Sequence, residues 1–572
     1  MARITETEIE FGLFDVTASE DAQYQTSQKQ SWNSAESQLK QGGTSKNYAT
    51  LEMNDFVLDG SAEFFPDNPG DEFFGWWSRD LSGADGVFSN PPELTVNFTE
   101  KHSSMGITIY FPDSPNEWAG SLNIKWYDGI GNILNSKDFY PDKAIYFCEQ
   151  SVTDYEKVKI SFYSTALPHR YLKVSEIMFG LIKVFTGKDL ESARIYEEID
   201  PVSSSLPINT LNFSFRDSEG KFSPLNLEGT YALFQQRQWF KVRSYINGVK
   251  NDLGTYYYSN FEVPDTEDTV AQMSCVNLLG VIDTTEFKGG IYTDKLASDL
   301  VSEILTSAGL GASEWTIDES LSDKRLTGWI PICSHREALR QVVFAIGGMV
   351  DCTRSEKISI YPMPSVQTAV YDTSRKISGH KIKFSSMITG CEVAAHQYRP
   401  IYKFTEDETE IVNDTLTVGK HEIKFKEPMH DLKITTGTAS ILESGANYAV
   451  LNVTTEETVV LKGEEYYDNV TVFGYYNENL PAHQKPNVIS LSEDMTLISK
   501  DNALEVAQRI YEYYQNRYSD QGDVILDFDT DKVGSIAKVE STAGSIQGIV
   551  ISIDCDLING VLGEVKTVGK VV

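Results

Sequence analysis

The alternation Leu211, Phe213, Phe215 within Leu206 to Asp217 constrains this chain more than any other stretch. Apolar residues at every second position, with polar residues between, fit a strand with one face in a core and do not fit a helix stripe. Downstream, Asn247-Gly248 separates Arg243-Ser-Tyr-Ile246 from a strand around Gly254-Thr-Tyr-Tyr-Tyr258. Both residues of Asn-Gly accept positive φ, so the pair predicts a two-residue hairpin. With Ala193-Arg-Ile-Tyr-Glu-Glu-Ile-Asp200 before it and a Phe222-Ser-Pro-Leu-Asn226 corner within it, the run to Leu279 predicts a compact β-barrel.

The order of these segments carries a resemblance. The Asp200 to Asp217 run, the Phe222 corner and the Gly254-Thr-Tyr strand resemble the first barrel of the central hub proteins at the tail tip or baseplate of tailed bacteriophages and prophage particles, of the Gram-positive type. The resemblance implies three chains, each giving two tube-like barrels, so that a homotrimer makes a ring of six matching the hexameric tail tube. The implied partners are the tail tube, distal tail and tape-measure or tip proteins of one particle. The implied role is structural, in a virion, with no catalysis and no cofactor. Hubs that carry lysins do so in an added peptidase or glycosidase domain, and none is expected after the second barrel here.

Length and charge set outer limits. A chain of 572 residues exceeds what one core serves, so about three to five domains are expected. With 41% hydrophobic and 11% aromatic residues it can fill those cores. The net charge of -34 argues against nucleic-acid binding, which needs clustered Lys and Arg; it suits a wall that DNA slides past and equally a generic soluble acidic protein. The start, Met1 to Glu10, lacks a basic segment followed by an apolar run, and no stretch of about 18 apolar residues spans a bilayer, so synthesis in a bacterial host cytoplasm is expected. Six scattered cysteines without Cys-x-x-Cys spacing read as reduced core residues.

In chain order, the fold class expected is mainly β with a small α+β domain. Residues 1–45, rich in Gln, Ser, Thr and Glu, read as a polar arm, either weakly structured or ordering against a partner. Residues 46–185 carry evenly spaced short strands, with Asp128-Gly129 and Gly131-Asn132 at a hairpin tip, and predict a β-sandwich. Ending in Arg170 to Gly180, this module resembles discoidin-type or carbohydrate-binding jelly rolls. A host surface glycan is then a further partner: Trp76, Trp77 and, from a second loop, Trp118 would stack on sugar faces while Arg79 and Asp80 bond hydroxyls. The other reading of Trp76 and Trp77 is a strand alternating between core and edge. A surface glycan-binding protein or cell-wall hydrolase, targeted by this sandwich, is the alternative to the hub.

Residues 186–290 form the first barrel and 291–365 the small α+β domain. There Thr293 or Asp294 is expected to cap a helix carrying Leu296, Leu300, Val301, Ile304, Leu305 and Ala308, with Gly309 at its end. Ser334-His-Arg-Glu337 has capping-box spacing ahead of a helix that Gly347-Gly348 breaks, and a hairpin follows, turning at Thr353 to Glu356. This helix, Gly-Gly and hairpin order is similar to the small domain of the phage hubs. Residues 366–500 supply second-barrel strands and an inserted β region. Residues 501–572 supply a helix, with Ala503, Leu504, Ala507, Ile510, Tyr511 and Tyr514 inward, and the closing strands.

Candidate chemistry is sparse. Cys333 and His335 stand two residues apart, but a nucleophile and base need a third, orienting group. Asp527, Asp529 and Asp531 share one face if the segment is a strand; a solvated or lumen-facing acidic strand is the expectation, and calcium binding the other reading, although the loop lacks the Gly and Glu of the helix-loop-helix motif. Acidic neighbours such as Glu197-Glu198 define no glycosidase pair without a cleft.

Overall fold

The computed structural model describes residues 3–14, 16–27, 39, 50, 52, 75–112, 116–217, 238–262, 270–377, 379–401, 408–481, 483–490, 494–542 and 544–572. The chain is mainly β with a few short helices. It divides into two compact units, one holding most of Glu10–Val184, the other holding the residues up to Ile9 and most of the chain from Phe185 onward.

The smaller unit is a sandwich built on two long, bent strands. Glu93–Tyr110 pairs antiparallel with Ile145–Thr165 along nearly its whole length, but the register slips three times between Asn97 and Gly106. Bulges of this kind bend a ladder, so the strands contribute one half to each of two layers. The half at Leu94–Asn97 pairs on its other edge with Gln23–Thr26, and the half at Ile107–Tyr110 pairs with the start of Glu176–Phe185. Ala119–Tyr127 and Ile133–Phe139 complete the first layer as the hairpin the Asp128 tip predicts. Alternate residues Leu94, Val96, Ile107, Ile109, Leu122, Ile124, Trp126, Val158 and Ile160 are buried between the layers.

The expected polar arm is corrected by this unit and by the larger one. Thr5–Phe14 is a strand, Val16–Asp21 a helix and Gln23–Thr26 a strand. Composition misled because the alternating apolar residues are few: Ile9, Phe11, Ala18, Ala22 and Tyr24 are buried while Gln, Glu and Thr separate them. Lys40 to Gly43 and the Phe222 corner lie outside the described residues.

In the larger unit one hydrogen-bonded network carries both sets of tube-like strands. The first set runs Trp239–Ile246, Val249–Glu262, Val270–Val276, Thr210–Arg216 and Leu190–Glu198, each antiparallel to the next. Thr5–Phe14 pairs with Trp239–Ile246, and Asn247 and Ile4 bond each other twice, Asn247 N to Ile4 O at 2.8 Å and Ile4 N to Asn247 Oδ1 at 3.0 Å. The hairpin turn sits at Asn247 (φ 52°) and Gly248 (φ 83°), the pair of left-handed conformations that Asn-Gly permits. Leu211, Phe213 and Phe215 are buried as their alternation requires. Phe213 lies 5.6 Å from Phe240, edge to face.

The second set runs Lys381–Phe384, Tyr518–Ile525, Leu562–Val571, Gly544–Asp556, Ile536–Ser541 and Gln367–Tyr371. Gly544–Asp556 joins the sets. One of its edges pairs with Leu562–Val571 throughout; the other pairs first with Ile536–Ser541 and then, from Ser552 to Asp556, with Arg194–Glu198 of the first set.

Between them lie the helices. Ser334 caps His335–Ile346 by accepting from the Glu337 amide at 3.2 Å, and Gly347 ends the helix at φ 82°. Glu337 turns its carboxylate to Arg340 instead of back to the cap. The Thr293 or Asp294 cap is corrected: the helix is Ala297–Ser307, its N-cap is Leu296 without a side-chain bond, and Gly290–Leu296 is a strand paired with Arg325–Ile330. Sheet pairing took the residues that capping propensity alone assigns to the helix. In the last helix, Ala503–Tyr513, the buried face is Ala503, Val506, Ala507 and Ile510; Leu504, expected inward, is exposed because the stripe follows a 3.6 period from Ala503.

Residues 409–468 form the inserted β region. Thr409–Leu416 and Met429–Thr436 flank Glu457–Asp468, and Gly419–Lys424 and Ser440–Ser444 flank Tyr448–Val453. Asn447 holds this region to the α+β domain: its amide donates to Lys288 O (2.7 Å) and Ile330 O (2.8 Å), and its carbonyl accepts from the Trp329 indole (2.7 Å).

Candidate functional site

Ala193, Ile195, Glu197 and Ile199 share one parity of the Leu190–Glu198 strand and all four are buried. A carboxylate at a core position requires a charged partner, because burying it alone costs far more than its neighbours' packing returns. Arg354 supplies one from the turn between Gly348–Asp351 and Ile358–Pro362. Its Nε donates to Glu197 Oε1 at 2.8 Å and its Nη2 to Glu197 Oε2 at 2.7 Å, with side chains 8% and 1% exposed. This is the planar, two-point geometry that suits guanidinium and carboxylate. The remaining nitrogen, Nη1, donates to Asp531 O (2.7 Å) and Phe528 O (3.3 Å), and the guanidinium lies 4.8 Å over the Phe528 ring. Burial lowers the Arg354 pKa, but Glu197 outweighs it and the net shift is upward, so the guanidinium keeps its charge.

Three parts of the fold meet at this arginine: a first-set strand through Glu197, the α+β hairpin through Arg354 itself, and the loop Asp527 to Asp531 that precedes the second-set strand Ile536–Ser541. Arg354 sits at φ 55°, and a Cβ on the facing Gly254 (φ 95°) would come within 2.9 Å of its Cα. The same hairpin is tied by Asn209 Nδ2 to Thr353 Oγ1 at 2.9 Å and by Lys532 Nζ to Asp351 Oδ2 at 2.8 Å.

The acidic strand expected over these aspartates is corrected to a turn that serves as a structural anchor. The segment is a turn, so the three carboxylates do not share a face. Asp527 and Asp529 are exposed, whereas Asp531 is fully buried, paired with Arg375, and accepts from the Asp527 amide (2.8 Å) and the Thr530 hydroxyl (3.2 Å). Burial raises the Asp531 pKa against the pull of these donors. Arg375 also donates to Ile525 O and Val370 O, which binds the loop to two second-set strands.

The other sequence candidates do not assemble. Glu198 accepts from Tyr196 Oη at 3.1 Å on the face opposite Glu197. His335 is buried, its two ring nitrogens meeting Thr285 Oγ1 (2.8 Å) and Ser307 Oγ (3.1 Å), and burial pushes the Cys333 thiol up to about 12. Neither group is placed to activate the other.

In the sandwich, Trp76 and Trp77 form a two-residue strand against Val174 and Lys173. The stacking platform is corrected, since their relative exposures are 0% and 2%. Trp76 stacks 5.9 Å from Phe162; Trp77 is covered by Lys173, 4.9 Å above its ring, and by Tyr171 at 6.3 Å. Trp118 is half-buried against the sandwich core, and exposed Arg79 and Asp80 pair with each other at 3.1 Å. Behind Trp77 lies a buried charge group that the sequence did not flag: Lys173 bridges Glu52 (2.7 Å) and Glu117 (3.0 Å), and Glu117 also takes Arg170 (2.8 Å).

No family model and no curated protein matches this chain. Among solved structures it is similar to a tail protein from Neisseria meningitidis MC58, at 9% identity over 68% of this chain and 94% of that one, with a TM-score of 0.40. It is similar to a prophage tail protein from Listeria monocytogenes EGD-e, at 9% identity over 68% and 91%, TM-score 0.36. A fucose-binding module of Streptococcus pneumoniae is similar at 12% identity over 27% and 90%, TM-score 0.19.

Proposed function

We propose that this chain is a structural component of a phage or phage-like tail: the homotrimeric hub of the tip or baseplate, which adapts a hexameric tail tube and anchors neighbouring tail proteins in the virion. The observation that carries the reading is Gly544–Asp556, a single strand hydrogen-bonded to both sets of tube strands. A hub must hold two tube segments in fixed register under load. Continuous ladder bonds do that, and the Arg354 to Glu197 pair locks the junction between them.

Two further features support it. The Lys381–Phe384 strand is exposed along its length, and Ile382 at 50% and Phe384 at 58% offer apolar side chains, between two lysines, to a neighbouring chain. The net charge of -34 keeps DNA from sticking to such a wall. Light scattering behind a sizing column tests the reading. A mass three times 64.1 kDa is expected, with rings in electron micrographs. A monomer at every concentration, alone and with the purified tail-tube protein, overturns it.

A further inference from the structure

The inserted β region holds the one group of His, Asp and Glu side chains, among the described residues, whose donor atoms converge as metal ligands do: His430, Asp431 and Glu464, with one atom of each within 4.8 Å of the others. His430 and Glu464 face each other across adjacent strands as register partners. Asp431 follows His430 directly, and in a regular strand it would point to the opposite face. It does not, because the register shifts between His430 and Lys433 and Asp431 takes a left-handed φ of 48°. The bulge re-aims its carboxylate, bringing Oδ2 to 3.0 Å from His430 Nδ1. The imidazole is fixed from one side by Tyr466, edge to face at 5.0 Å, and Glu464 is 8% exposed whereas Asp431 is open to solvent. The site thus has a buried wall, an oriented nitrogen and one solvent-exposed carboxylate at its mouth.

We propose that His430, Asp431 and Glu464 bind a divalent cation of the zinc class. One imidazole nitrogen with two carboxylates suits borderline ions such as Zn²⁺, Co²⁺ or Ni²⁺, whereas Ca²⁺ and Mg²⁺ favour all-oxygen sets. Ligand atoms in a tetrahedral zinc site lie about 3.3 Å apart; His430 Nδ1 and Asp431 Oδ2 already stand 3.0 Å apart, so the cation enters by replacing the proton between them, and side-chain adjustment closes the remaining separations, which are within 4.8 Å. Two carboxylates and a neutral imidazole balance the charge of the ion, and the ion pins Met429–Thr436 to Glu457–Asp468 where their ladder is interrupted.

Calorimetric titration of the EDTA-treated full chain with ZnCl₂, followed by melting with and without the ion, tests this. One equivalent per chain and a higher melting temperature are expected. H430A and E464Q abolish that equivalent. D431N, which keeps a residue tolerant of left-handed backbone, weakens binding about tenfold or more and reports on the site even if a buried substitution unfolds the region. H421A, on the exposed Gly419–Lys424 strand, leaves binding unchanged. No uptake by the parent chain, or uptake that D431N leaves at full affinity, overturns the proposal.

Discussion

Arg354 grips Glu197 with two nitrogens at 2.8 and 2.7 Å, across 157 residues of sequence, in a region where both side chains are buried. Hydrogen bonds to two carbonyls of the Asp527 to Asp531 loop complete the arginine's coordination. Removing either charge leaves the other buried and alone. E197Q is therefore expected to destabilise the junction by about 3–5 kcal/mol, and the double variant E197L/R354M to recover most of the loss. Hydrogen exchange of amides in Leu190–Glu198 measures both. Equal protection in E197Q and the parent would remove the pair from any mechanical role.

Gly254 tests the same junction from the backbone. At φ 95°, with a Cβ placed 2.9 Å from Arg354 Cα, Gly254→Ala meets both conformational strain and a contact with main chain that cannot rotate away. A loss of about 1–3 kcal/mol is expected, visible as a lower thermal midpoint. Gly248→Ala, also left-handed but with open space around it, isolates the conformational part.

Asn447 uses both amide hydrogens and its carbonyl to dock the inserted region. N447A strands Lys288 O, Ile330 O and the Trp329 indole, and is expected to cost about 1–3 kcal/mol. Faster hydrogen exchange confined to the Lys288 to Ile330 segment and the inserted strands would register it; a change spread over the whole larger unit would contradict a local clasp.

Asp21 governs acid sensitivity in the sandwich. Burial alone would raise its carboxyl, but the Thr99 hydroxyl, the Glu100 and Thr99 amides and His102 outweigh that and hold it well below the ordinary carboxylate range. With a folded pKa below the unfolded value of about 4, its stabilisation is complete above that value and lost as pH falls through the folded one. D21N should loosen the Thr99 to His102 corner at neutral pH, and the gap from the parent should close in strong acid. Amide exchange of Thr99 and Glu100 across pH reads this out; a gap that widens on acidification refutes it.

Legibility followed range. The Leu211, Phe213, Phe215 strand, the Asn247-Gly248 turn, the Ser334 cap and the Gly347 stop were readable because each depends on residues within a few positions of one another. Thr5–Phe14 was missed because a sparse apolar pattern forms a strand only when Trp239–Ile246 is there to pair with it. The Glu197 site was missed: the carboxylate shares parity with Ala193, Ile195 and Ile199, a signal that local reading passed over because Arg354 lies 157 residues away.

By itself, then, the sequence determined local conformation and parity: which faces are apolar and where turns need left-handed backbone. Only the tertiary structure decided which charges are buried and how they pair, bringing Arg354 and the Asp531 loop to Glu197, burying Trp76 and Trp77, and turning Asp527 to Asp531 into an anchor. Backbone propensity and side-chain alternation act over a few residues, whereas burial and charge pairing are set by whichever distant segments the closed sheet brings together.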